Sequence, residues 1–170
     1  MELELHHPHH WERRRPHWQT AAVAGFAAGA LLMVLELIWA ASMSDQGPWR
    51  IPHLVAALML GPDILKPEVL GFSLPVVTVA LATHYVLGIA FGLVLGFIIA
   101  GFHYDTDMAM VQVLGALFGL VLYLVNFHGL TAFFPWFAEL RGWGTLMAHL
   151  AFGIAAALLY WKLAPPHTRG

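Results

Sequence analysis

Residues 25–36 read GFAAGALLMVLE, and residues 115–126 read GALFGLVLYLVN. Each stretch begins with two glycines four residues apart and ends with a polar side chain, Glu36 in the first and Asn126 in the second. Small residues at this spacing let two membrane helices approach each other closely. Because the distance from the first glycine to the polar residue is the same in both stretches, the sequence predicts that one structural element occurs twice.

A second motif follows each of these stretches. His84 and His149 each precede a glycine by four residues, Gly88 and Gly153, and the dipeptide Ile-Ala comes directly after both glycines. A Pro-Trp pair lies between the two motifs in each half. The ordered set therefore predicts two parallel hairpin repeats related by a pseudo-two-fold axis along the membrane normal.

The composition indicates a membrane protein. Hydrophobic residues make up 59% of the 170 residues, charged residues 11%, and the mean hydropathy is +0.70. A helix needs about 20 apolar residues to cross the hydrocarbon core of a bilayer. Four stretches meet this length, so we predict an all-α fold, a bundle of four transmembrane helices at roughly residues 19–43, 76–101, 108–128 and 144–163.

These spans predict one compact unit. A single four-helix transmembrane domain occupies residues 19–163, with repeat one at 19–101 and repeat two at 108–163. A His-rich tail, residues 1–18, precedes it, and a short tail, residues 164–170, follows it.

The two long connections, residues 44–75 and 129–143, differ in character. The first is divided by five prolines and keeps only a short apolar piece, Leu54 to Leu60, for which we expect a short interfacial or re-entrant helix. The second is rich in Phe and Trp, which is typical of side chains anchored at the membrane surface.

The basic residues set the expected orientation. Arg13, Arg14 and Arg15 lie just before the first span, and basic residues near a span favour the cytoplasmic side. We therefore expect the inner (plasma) membrane of a bacterium, with both termini cytoplasmic and both long connections outside. The expected partners are the lipid bilayer and either further copies of the chain or a larger membrane complex. The net charge of −2 gives no basic surface for nucleic acid.

The polar side chains inside the spans are the candidate site. Glu36, His84, Asn126 and His149 all fall within a few turns of the same ends of their helices, so they are expected to share one layer. A charge at the bilayer centre costs about 2.5–3.5 kcal/mol, which makes such a residue a functional candidate. We therefore expect Glu36, His84 and His149 to converge.

Two cofactor hypotheses follow from the histidines. His84 and His149 are suited to ligating haem b axially from opposite sides, with Gly88 and Gly153 leaving room for the porphyrin. Binding of haem or of another metal at these residues would make the protein an electron-transfer or metal-binding protein.

In the second hypothesis a transition metal takes Glu36, His84 and His149 as ligands, with Asn126 supporting them by hydrogen bonds. Two further interpretations need no cofactor. The same groups can exchange a proton in a site for a quinone or small solute. They can also simply join the helices by hydrogen bonds.

The segment from Leu122 to Arg141, with its run Asn-Phe-His-Gly-Leu-Thr-Ala-Phe-Phe-Pro-Trp-Phe-Ala-Glu, resembles a group of uncharacterised bacterial four-span inner-membrane proteins. The segment from Trp49 to Pro62 is similar to the same group, some of whose members carry a sodium:proline symporter label. The resemblance implies a four-span fold and no particular activity.

The sequence favours an accessory or interaction subunit rather than an enzyme. It has no cysteine, and it shows no nucleophile–base pair or phosphate-binding loop. The first alternative is the electron-transfer or metal-binding protein that uses His84 and His149. The second is a proton-coupled carrier of a small solute.

Overall fold

The computed structural model describes residues 16–43, 47–102 and 107–165. Over these residues the chain contains helices, turns and irregular segments, and no strand. The polar tail expected at residues 1–18 and the final residues lie almost wholly outside the described part. The architecture is an all-α bundle.

Four long helices form the bundle and confirm the predicted spans. They are α1 (Trp18–Met43), α3 (Leu74–Gly101), α4 (Met108–Leu124) and α5 (Trp143–Leu163), and irregular helical turns extend α4 to Ala132. Each is long and apolar enough to cross a bilayer. The chain is therefore a multi-pass membrane protein.

The helices pair as two hairpins. α1 packs on α3, α4 packs on α5, and α1 also packs on α5 across the bundle. By contrast, α3 and α4 scarcely touch, although they are close neighbours in the sequence. The ring of four helices is thus open along the α3–α4 side. A two-fold axis that exchanges the two hairpins would also exchange the α1–α5 contact with the α3–α4 contact, so the two contacts would be equally extensive. Because they are not, the hairpins are not placed symmetrically against each other.

Within each hairpin the glycines make equivalent contacts. A Cβ atom added to Gly25 would collide with the backbone carbonyl of Gly88, and one added to Gly115 would lie 2.5 Å from the backbone oxygen of Gly153. Both helix pairs therefore cross with their backbones in contact, which only glycine permits. These contacts match the positions expected from the two sequence motifs.

The two ends of the bundle differ in packing. We call the end near Trp18 and Leu163 the terminal end, and the end that holds residues 47–73 and 125–142 the connection end. The terminal half is filled by small, aliphatic and aromatic side chains that are almost fully buried, among them Ala24, Ile99 and Tyr160. This half is close-packed.

The first connection forms a helix, α2 (Arg50–Leu60), which begins four residues before the predicted apolar piece. Pro52 does not prevent this start, because it lies in the first turn, where a backbone N–H has no helical acceptor. Ala56 packs against Val76 and Ala80 of α3. The first connection is therefore held against the bundle.

A π-helical turn at Val125–Gly129 leads into the second connection, which contains 3-10 turns at Leu130–Ala132 and Pro135–Leu140. Phe133 is 76% exposed, in agreement with the expected surface belt. Phe137, however, is only 7% exposed and packs inward on Phe127. The belt interpretation is therefore wrong for the side chains that face the bundle. Residues 50–69 and 130–140 together form what we call the connection cap.

Candidate functional site

A cavity of about 300 Å³ lies in the connection half of the bundle. All four long helices and both parts of the connection cap contribute to its wall. The wall is mainly apolar, and it includes five phenylalanine rings: Phe91, Phe127, Phe134, Phe137 and Phe152. A mostly apolar cavity with a few polar groups is the usual form of a small-molecule site.

All four polar residues predicted from the sequence line this cavity. Glu36 comes from α1, His84 from α3, Asn126 from the π-helical turn, and His149 from α5. Glu36 lies seven residues before the end of α1, and His149 lies six residues after the start of α5. At about 1.5 Å per residue, these positions are roughly 9–11 Å below the helix ends.

Glu36 is buried without a close partner. The residue is 8% exposed, and its nearest polar neighbour in the described chain is His149, whose Nδ1 lies 4.0 Å from Oε1. This separation is too long for a hydrogen bond. The Nδ1 atom also lies 2.9 Å from the carbonyl oxygen of Thr145, to which it donates. Glu36 therefore has hydrogen-bonding capacity that the described residues leave unused.

Each histidine uses one ring nitrogen on a backbone carbonyl. His84 Nε2 lies 3.1 Å from the oxygen of Gly29, and His149 Nδ1 is bound to Thr145 as described above. Since a carbonyl oxygen only accepts, both nitrogens act as donors. In a neutral imidazole the second nitrogen is then an acceptor. Each ring therefore keeps one acceptor position that no described residue occupies.

Asn126 belongs to a distorted part of its helix. The π-helical turn at Val125–Gly129 replaces regular α-helical geometry just where the polar side chain occurs. Arg141 Nε donates to the carbonyl oxygen of Phe127 at 2.6 Å and so binds a backbone group of this turn. Single π turns within helices are frequent at functional sites. No residue pattern in the sequence predicts this distortion.

The structure does not support the predicted metal ligands. Among residues 16–43, 47–102 and 107–165, no group of three His, Cys, Asp or Glu side chains is arranged to hold a metal ion. Glu36, His84 and His149 thus share a cavity without forming a ligand set, and Asn126 has no ligands to support. The separation arises because each histidine is turned toward a backbone carbonyl of a helix.

The haem hypothesis requires space at Gly88 and Gly153, and neighbouring helices fill that space. A Cβ atom on Gly88 would lie 2.9 Å from the oxygen of Gly25, and one on Gly153 would collide with the oxygen of Gly115. Both glycines therefore serve helix packing. The residues predicted to bind haem do not fit that cofactor.

A second cavity of about 250 Å³ lies between α1, α2 and α3. It shares Glu36, Val55 and His84 with the first cavity, and Trp49 and Ile51 line its other parts. The shared side chains therefore form a thin partition between the two cavities. One carboxyl group borders both of them.

The two parts of the connection cap are bound to each other over the first cavity. Arg50 in α2 donates to both carboxylate oxygens of Glu139, with Nη2 at 2.7 Å from each of them and Nε at 3.1 Å from Oε2. Trp136 Nε1 donates to the carbonyl oxygen of Leu54 at 3.1 Å. These bonds join residues that are more than 80 positions apart in the chain.

We expect the Arg50–Glu139 pair to stabilise the folded protein measurably. Because the pair is bidentate and the Arg50 side chain is only 14% exposed, a double-mutant cycle with alanine should give a coupling free energy of about 1 kcal/mol. Chemical unfolding in one detergent would measure it. The exposed pair Asp63–Lys66 is the control and should show no measurable coupling. Equal coupling in both pairs would contradict the assignment.

Sequence reasoning missed the aromatic part of the wall. Phe91 and Phe152 stand in uniformly apolar helices, where no polar face shows which side points inward. Phe137 lies in a 3-10 turn, whose periodicity differs from that of an α-helix, and Phe134 directly precedes this turn. The sequence showed only that aromatic residues are frequent in the second connection, and this frequency indicated a belt at the membrane surface.

No family model matches this chain, and no curated protein or solved structure matches it. The functional argument therefore rests on the geometry of the cavity.

Proposed function

We propose that this membrane protein binds a small lipid-soluble molecule that carries one polar group, and that the first cavity is the binding site. The observation that carries the proposal is the buried Glu36 side chain, which borders the cavity and has no hydrogen-bond partner in the described chain. A buried polar group without a partner costs about 1–3 kcal/mol. A ligand that supplies the missing hydrogen bond recovers this cost.

The route to the cavity supports a lipid-soluble ligand. Leu87 of α3 and Met59 of α2 both line the cavity and are exposed at its edge, at 38% and 68%. Both are apolar, and Leu87 stands on a lipid-facing part of α3, next to the exposed Val86. The open α3–α4 side of the ring gives a molecule dissolved in the bilayer lateral access.

This proposal replaces the role of accessory or interaction subunit and is closest to the carrier hypothesis. It differs from the carrier hypothesis because it does not include transport across the membrane. The terminal half of the bundle is close-packed around residues such as Ile99 and Val111. A molecule in the cavity therefore meets a filled core on that side. Binding, rather than transport across the membrane, agrees best with this packing.

We propose the bacterial inner membrane as the location, with cytoplasmic termini. The three arginines before the first span support this orientation. The cavity then lies in the outer half of the membrane, below the external connection cap.

The experiment is an equilibrium partition of two neutral probes between nanodiscs with and without the protein: neopentylbenzene, which tests the apolar wall alone, and 2-phenylethanol, whose hydroxyl can donate a hydrogen bond to Glu36. Gas chromatography should find an excess of about one probe molecule per protein at saturation. Leu87→Trp should lower the affinity by about tenfold, a loss of about 1.4 kcal/mol, because the indole ring fills the mouth of the cavity.

The matched control is Val86→Trp, which adds the same ring to the next residue of α3 on its lipid-facing side, where the side chain is 65% exposed. It should leave the excess unchanged. If parent and empty nanodiscs take up equal amounts of probe, or if both tryptophan variants behave alike, the proposed site is wrong.

A further inference from the structure

Hydrogen-bond acceptors outnumber free donors among the polar groups of the first cavity. Glu36 as a carboxylate only accepts, and His84 and His149 each present an accepting nitrogen, because their other nitrogens donate to backbone carbonyls. The donors on the wall are the Asn126 amide and the Thr83 hydroxyl. The wall contains no lysine or arginine in the part of the chain that the structure describes. Its chemistry is therefore suited to a ligand that donates hydrogen bonds or carries positive charge.

The aromatic side chains favour the same class of ligand. Phenylalanine rings carry partial negative charge on their faces and attract an organic cation within about 6 Å, most strongly when water is excluded. Five such rings line the cavity that Glu36 borders. His149 gives Glu36 no hydrogen bond, since its Nδ1 lies 4.0 Å from Oε1 and donates to the carbonyl oxygen of Thr145.

We propose that the ligand is an amphipathic organic cation, such as a quaternary ammonium or a protonated amine, whose charge is paired with Glu36 and whose substituents pack on the phenylalanine rings. This inference rests on the proposed function, because it assigns the chemical class of ligand to the same cavity. The partner of the positive charge is Glu36, the acidic side chain that lines both cavities.

The test compares two molecules of the same shape and different charge. Benzyltrimethylammonium is the cation, and neopentylbenzene has carbon in place of the charged nitrogen. Binding of both to the full chain in nanodiscs is measured by equilibrium dialysis, with empty nanodiscs subtracted. The parent protein should bind the cation at least about tenfold more tightly than the neutral probe, because only the cation is attracted both by the Glu36 carboxylate and by the faces of the phenylalanine rings.

Glu36→Gln should remove this preference. The affinity for the cation should fall by at least about tenfold, while that for neopentylbenzene changes by less than about threefold. Glu68→Gln makes the same chemical change at an exposed position outside the cavity and should alter neither affinity. Because neopentylbenzene also reports an intact cavity, a variant that fails to fold is recognised by loss of both probes.

A second variant keeps the carboxylate and removes one ring. Phe134→Leu should weaken binding of the cation by about two- to fivefold, the range for one cation–π contact, and leave the neutral probe nearly unaffected. This change tests the aromatic contribution even if Glu36→Gln does not fold.

The outcomes separate the two proposals. If neopentylbenzene binds and benzyltrimethylammonium does not, the charge inference is overturned and the proposed binding function stands. If the cation binds equally well to Glu36→Gln, another group recognises it and the inference is also overturned. If neither molecule binds the parent protein, both proposals fail.

Discussion

Gly25→Leu is expected to prevent recovery of the protein as a folded bundle. The new Cβ atom would collide with the carbonyl oxygen of Gly88 and lie 2.8 Å from the Cα atom of Gly92. Both are backbone atoms, which cannot rotate away as a side-chain tip can. Overpacking usually costs about 1–3 kcal/mol, and a branched side chain forced against backbone belongs at or above the upper limit. α1 and α3 would then be held apart.

Size-exclusion chromatography and thermal unfolding after extraction would measure this effect. Gly71→Leu is the control, since Gly71 has open space around it and should change the free energy of unfolding by no more than about 0.5 kcal/mol. Gly115→Leu should act like Gly25→Leu, because it meets the backbone oxygen of Gly153. A Gly25→Leu protein as stable as the parent would show that α1 and α3 do not cross at this point.

Glu36→Leu is expected to stabilise the ligand-free protein. Glu36 is buried without a hydrogen bond in the described chain, so its replacement removes an unsatisfied polar group worth about 1–3 kcal/mol. Chemical unfolding in the absence of added ligand would show the increase. Glu139→Leu makes the same change where the carboxylate accepts two hydrogen bonds from Arg50, and it should be destabilising.

The sign of the Glu36→Leu effect separates two roles of the residue. If Glu36 joins the helices by hydrogen bonds, as the polar-contact interpretation of the sequence proposed, the variant should lose stability. A loss of more than about 1 kcal/mol would therefore favour that interpretation over a binding site.

Much of the bundle could be predicted because its determinants are local. The length of an apolar run fixes whether a helix can span the bilayer, and the four spans agree with the structure to within a few residues. The glycine contacts were also predictable, because Gly25 and Gly115 each stand at the spacing that close helix pairs require.

The site was only partly predictable. The cost of burying polar groups identified Glu36, His84, Asn126 and His149, and all four line the cavity. The cavity itself depends on how the helices are placed in space, with α1 packed on α3 and α5 and with little contact between α3 and α4. Helices that are apolar on every side give no sign of which face packs and which meets lipid, so this opening has no signature in the sequence.

The remaining features depend on partners distant in the chain. The pairing of Arg50 with Glu139 requires the folded cap, because the two residues are 89 positions apart. The metal-ligand set predicted with His84 and His149 was not found in the described part of the chain for a similar reason. Their acceptors, the carbonyl oxygens of Gly29 and Thr145, are backbone atoms, and a residue pattern shows nothing of their positions.

Because the bundle is open between α3 and α4, the occupancy of the first cavity depends on the concentration of the ligand in the membrane. A molecule that enters from the bilayer is sampled at its mole fraction in lipid rather than at its concentration in water. Each added CH₂ group favours the membrane by about 0.8 kcal/mol, roughly a fourfold enrichment, before any contact with the protein is made. Longer-chained members of one chemical series would therefore occupy the cavity at lower total doses without binding it more tightly. Apparent affinities would also fall as lipid is added at constant protein, because the same number of molecules is spread through a larger volume of membrane.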